Sequence, residues 1–110
     1  MLRSFSYAAY SGLDQYTQRH PDTTRSLEPW ARLWQNAVSI EFLRSYRETM
    51  ATRPALLPDT AQAESLLNAY LLEKALYELL YELNNRPTWV RIPLAGILGL
   101  PATHPNETKA

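Results

Sequence analysis

Apolar positions along this chain recur every three or four residues, in blocks closed off by proline. From Leu2 to about Arg19, the positions Leu2, Phe5, Tyr7, Ala8, Ala9, Leu13 and Tyr16 predict a first helix, with Gly12 weakening its middle or ending it early. His20-Pro21-Asp22 breaks that block. Ser26 then reads as the N-cap of a second helix, with Glu28 and Pro29 in its first turn. Leu27, Trp30, Trp34, Val38, Phe42 and Tyr46 form its main stripe. Leu33, Ala37, Ile40 and Leu43 widen the band, which predicts cover on more than one side.

Arg53-Pro54 and Leu57-Pro58 make the next joint, after which Asp59 is placed to cap a third helix with Gln62 at the reciprocal position. That helix runs to about Leu83 and is stopped by Asn84-Asn85-Arg86-Pro87, with an asparagine expected in the left-handed region. Thr88 and Trp89 begin a short turn, Trp89 packing back on the helices. Pro93 opens a last small helix ending near Gly99, and the tail from residue 101 to 110 is polar. Nothing alternates with the period of a strand. The expected fold is all-α: three main helices plus a short C-terminal one, with residues 1–100 as the helical body.

Composition narrows the function classes. Among 110 residues, eleven basic and eleven acidic side chains cancel, so no net field favours nucleic acid or an anionic membrane. There is no cysteine, hence no disulfide or thiolate chemistry, which fits a cytoplasmic location. The most apolar window, Leu66 to Leu83, is interrupted by Asn68, Glu73, Lys74, Glu78 and Glu82, which a membrane span would not tolerate. His20 and His104 each precede a proline, without partners at metal-ligand or acid–base spacing. Asn106-Glu107-Thr108 has the form of a glycosylation acceptor and reads as incidental. Trp30 and Trp34, one turn apart on the most apolar helix, read as core.

The third helix carries the chemistry worth pursuing. At about 100° per residue, Ala69, Leu72, Leu76, Leu79 and Leu83 share one side, predicted to pack on the second helix. Tyr70, Lys74, Tyr77, Glu78, Tyr81 and Asn85 gather on roughly the other side. Tyrosine rings stack on sugar faces, while carboxylates and amides pair with hydroxyls, so this stripe suits a polyhydroxylated ligand. A helix whose Tyr and Glu satisfy one another and a neighbouring helix, with Lys74 and Glu78 as an i,i+4 pair, has the same spacing. Spacing alone leaves both readings open.

The segment "LEKALYELLYELNNRPTWVRIPLAGIL", Leu72 to Leu98, resembles the C-terminal signature of bacterial maltokinases, including those fused to a trehalose synthase. "MLRSFSYAA" resembles the helix after the metal-binding loop of the same enzymes, and "FLRSYRE" and "LLPDTAQAESLLNAYLLEKA" follow in the expected order. The resemblance implies the helical part of the C-lobe of a kinase-like fold, related to aminoglycoside phosphotransferases. It also implies transfer of the ATP γ-phosphoryl group, with magnesium, to maltose, giving maltose 1-phosphate for α-glucan synthesis.

By the same resemblance Lys74, Tyr77, Glu78, Tyr81 and Asn85 are candidates for the maltose site, while the leucine face and the stop after the third helix give Leu76, Pro87 and Trp89 structural roles. The family's His-Gly-Asp and Asp-Phe-Glu-Gly loops do not occur here, and the only aspartates are Asp14, Asp22 and Asp59. No catalytic residue or metal ligand is therefore expected in the chain, nor a cofactor of its own. ATP and magnesium would belong to the whole enzyme, together with the missing N-lobe and catalytic segment, and the chain alone is expected to be inactive. The competing reading is an independent helical module that binds another protein. A freestanding module should bury its leucine stripe within these helices, whereas a part of a larger enzyme should leave an apolar patch of several hundred Å2 where the lost lobe packed.

Overall fold

The computed structural model describes residues 1–57 and 59–101. Four α-helices, α1 Leu2–Arg19, α2 Thr24–Met50, α3 Thr60–Asn85 and α4 Arg91–Leu98, are linked by single 3₁₀ turns at Pro21–Thr23, Pro54–Leu56 and Pro87–Trp89. Among the described residues there is no strand, and the all-α expectation holds. No helix among them is long and apolar enough to cross a membrane. The expected properties of the tail, including His104 and Asn106, fall almost wholly outside the described residues.

The three joints share one local geometry. His20, Arg53 and Arg86 each precede a proline, and their backbones sit at φ/ψ of −138°/69°, −137°/73° and −141°/72°. The proline ring clashes with a preceding helical residue, which moves residues 20, 53 and 86 out of the helical region. Proline's own fixed φ then starts the 3₁₀ turn. This also corrects the expected end of α3. No described non-glycine residue has positive φ, so neither Asn84 nor Asn85 is left-handed. Instead Pro87 stops the helix through Arg86, while Asn85 Nδ2 donates to the Tyr81 carbonyl at 2.8 Å.

Starts of helices divide into one expected and one corrected. Asp59 caps α3, its Oδ1 accepting from the Gln62 backbone N–H at 2.9 Å. Ser26 does not cap α2: the helix begins at Thr24, and Ser26 Oγ donates back to the Thr23 carbonyl at 2.9 Å. Pro29 therefore lies inside the helix, beyond its first turn. Gly12 lies within α1, which continues through it to Arg19.

The chain divides into two compact units, Met1–Ala63 and Glu64–Ala110. In the first, α1 and α2 pack as a hairpin. Gln35 Nε2 donates to the buried Ser6 Oγ at 2.5 Å, and Arg3 donates to the same oxygen at 3.1 Å. Phe5 meets Phe42 edge-to-face, ring centroids 5.8 Å apart, and Phe42 stacks on Tyr46. Ala9, Tyr10 and Leu13 are buried on α1. In the second unit, Ala75, Glu78 and Glu82 of α3 are buried, as are Ile92 and Pro93 of α4.

Two packing expectations are overturned. Leu72, Leu76 and Leu83 are exposed, Leu76 at 50 %, and Leu79 is only half-buried. The buried face of α3 is instead centred about a quarter-turn round the helix, where Ala75 and Glu82 lie between the leucines and the tyrosines. Likewise Trp30, Leu33, Trp34 and Ile40 stand exposed on α2, so its wide apolar band is not covered on both sides. Trp89 is half-buried, as expected of a ring turned inward.

Candidate functional site

The exposed tyrosines of α3 define the candidate site. Tyr70, Tyr77 and Tyr81 succeed one another at seven and four residues and lie near one helical face, with Tyr77 64 % and Tyr81 48 % exposed. Lys74 and Asn85 are exposed on the same side. The stripe from Lys74 to Asn85 is about 16 Å long at the helical rise. An uncharged ring held open to water on a fixed helix is a stacking surface, and each tyrosine adds a hydroxyl at its rim.

Glu78 does not share that exposure. Its residue is only 8 % exposed, and it is engaged rather than free. Lys74 lies over the Tyr77 ring, its Nζ 5.3 Å from the ring centroid. Four of the five sugar-site candidates thus share an open face, and Glu78 lies beneath them at its edge.

At the C-terminal end of the stripe the structure adds residues that the sequence pattern did not single out. Glu82 is 1 % exposed, and Arg86 donates to it twice, Nε to Oε2 at 3.1 Å and one terminal nitrogen to Oε1 at 2.8 Å. The guanidinium carbon lies 4.2 Å from the centroid of the Trp89 ring and 5.8 Å from that of Tyr81. The i,i+4 spacing of Glu82 and Arg86 immediately before Pro87 was the available signal. A carboxylate so buried requires a charged partner, and the double hydrogen bond supplies one.

In the first unit, the exposed indoles of Trp30 and Trp34 border an apolar groove of about 450 Å3, whose other walls include Ala8, Gly12, Leu13 and Tyr16. This corrects the reading of that pair as core. Gly12 lines the groove, and a Cβ added there would meet nothing within 4 Å. His20 stacks on Tyr16 with ring centroids 4.4 Å apart, closing the end of α1.

Among the described residues no group of three or more His, Asp or Glu side chains is placed to hold a metal ion. No protein-family model matches the chain, and no solved structure matches it.

Proposed function

We propose that this chain is the C-terminal helical part of a maltokinase-like phosphotransferase, supplying one wall of its maltose site. The observation that carries the proposal is the outward-facing leucine surface of α3: Leu66, Leu72, Leu76, Leu80 and Leu83 are all exposed beside the tyrosines. Large contiguous apolar surface on a small protein marks a place where something packs. Under the proposal that something is the remainder of the lobe, and the adjoining tyrosine stripe faces sugar. The segment Leu72 to Leu98, on which the family resemblance rests, contains most of both features.

Within that wall, Tyr77 and Tyr81 stack on glucose rings, Asn85 exchanges hydrogen bonds with hydroxyls, and Lys74 is a neighbouring charge. Glu78 supports the stripe from its buried edge. ATP and magnesium are held by segments of the enzyme that lie outside this chain, so the chain alone should release no ADP from ATP in the presence of maltose. Turnover above a denatured control would contradict the proposal. Titrating maltose into the chain with isotope-labelled tyrosine should move the ring resonances of Tyr77 and Tyr81. Silence of both rings at saturating maltose would exclude the site.

A second reading, an independent helical module that binds another protein, draws on the exposed Trp30 and Trp34 beside the α1–α2 groove. The coding sequence upstream of Met1 separates the two. An in-frame continuation encoding the His-Gly-Asp and Asp-Phe-Glu-Gly loops supports the enzyme, and its absence supports the module.

A further inference from the structure

The geometry points to Arg86 as the positioning residue that presets the Tyr81 ring for a sugar, with Glu82 as its buried anchor. The inference rests on the reading of Tyr81 as part of the sugar-facing stripe. It begins with the two cations over the two rings, which are held in very different ways. Lys74 lies over Tyr77 as an exposed, flexible ammonium on a long stem. Arg86 approaches Tyr81 as a planar group fixed on several sides.

Each restraint on Arg86 follows from the local fold. Pro87 forces residue 86 out of the helix, and the Arg86 N–H still donates to the Glu82 carbonyl at 2.8 Å. That places the guanidinium against the Glu82 carboxylate, where two parallel hydrogen bonds fix its orientation. The Trp89 N–H donates to the Arg86 carbonyl at 2.8 Å, closing the 3₁₀ turn and bringing the indole under the guanidinium. Glu82 is buried and its helix is regular, so the anchor cannot drift. Tyr81 therefore has one face next to a cation that holds still.

A ring ordered before the ligand arrives loses less freedom on binding, and affinity rises by that difference. Tyr81 is then the preset ring of the pair and Tyr77 the adaptable one. Arg86 contributes to recognition through Tyr81, and Glu82 contributes through Arg86 without touching ligand.

The test uses the full chain with labelled tyrosine rings and maltose as the probe, in wild type, Arg86→Met, Arg86→Lys and Glu82→Gln. The proposal expects Arg86→Met and Glu82→Gln each to weaken maltose binding about three- to fivefold. This should hold at a temperature where their circular dichroism matches wild type. Arg86→Lys, which keeps the charge and loses the fork, should fall between. Without ligand, the variants should shift the Tyr81 ring resonances and leave those of Tyr77 in place. If maltose moves both rings and all folded variants bind it as tightly as wild type, the positioning role is overturned while the sugar site stands. If maltose moves neither ring in wild type, the site reading falls and takes this inference with it. Should Glu82→Gln or Arg86→Met fail to fold, Arg86→Lys decides: affinity equal to wild type overturns the proposal.

Discussion

The helices α1 and α3 bury different kinds of residue. In the hairpin, α1 buries Ser6, Ala9, Tyr10 and Leu13, and the hydroxyl of Ser6 is satisfied by Gln35 and Arg3. Along α3 the buried set is Ala75, Glu78 and Glu82, while leucines face outward. The apolar content of a face therefore does not determine whether it is buried. A carboxylate can occupy the inner face when a partner reaches it, as Arg86 reaches Glu82, and its desolvation is then offset by two charged hydrogen bonds. The leucines of α3 stand exposed in their place. On α1, by contrast, the buried set includes the large Tyr10 and Leu13 beside the small Ser6 and Ala9.

The sharpest way to break this comparison is to shave the core of the second unit beside its outer face. Ile92 is 1 % exposed, so Ile92→Ala should cost about 2–5 kcal/mol in urea denaturation. Leu76→Ala removes just as large an aliphatic group from a half-exposed site and should cost less than about 1 kcal/mol. Equal losses for the two would mean that the leucine face is packed after all. On the hairpin side, Gly12→Ala should raise stability by about 0.5–1 kcal/mol, because the added methyl meets open space and the helix loses its most flexible residue. A destabilised Gly12→Ala protein would show that the groove beside Trp30 and Trp34 is filled.

The smallest expected effect concerns Glu41, which holds Arg44 on the surface of α2 beside Glu48. The hydrogen bond from Arg44 keeps the Glu41 carboxyl below its ordinary range; slight burial opposes the shift and the Arg44 charge adds to it. With the folded value below the unfolded one, this pair contributes stability above the unfolded pKa, and the contribution is lost as pH falls through the folded pKa. Both side chains are fully exposed to solvent screening, so the thermal midpoint of Glu41→Gln should lie barely below wild type near about pH 7. Below the folded pKa of Glu41 the difference should vanish. A large difference at neutral pH would show that α2 leans on this surface network.

Much of the molecule can be read without coordinates. The ends of α1 and α3 and the start of α3 follow from residues that act over one turn: Pro21 and Pro87, like Pro54 after α2, impose the same backbone on the residue before each of them, and Asp59 caps the turn that follows it. Such effects are local and steric, so neighbours in sequence suffice to determine them. Lys74, Tyr77, Tyr81 and Asn85 also share a face for a local reason, the helical repeat. Periodicity sorts residues into faces but does not say which face turns inward. That depends on the surface available to cover it, and on whether buried polar groups find partners. Hence the exposure of Leu76 and Trp30 and the burial of Glu78 and Glu82 were decided only when the chain folded. The same holds for Arg86, whose fork meets Glu82, Tyr81 and Trp89 because the Pro87 joint brings three separate positions within a few ångströms.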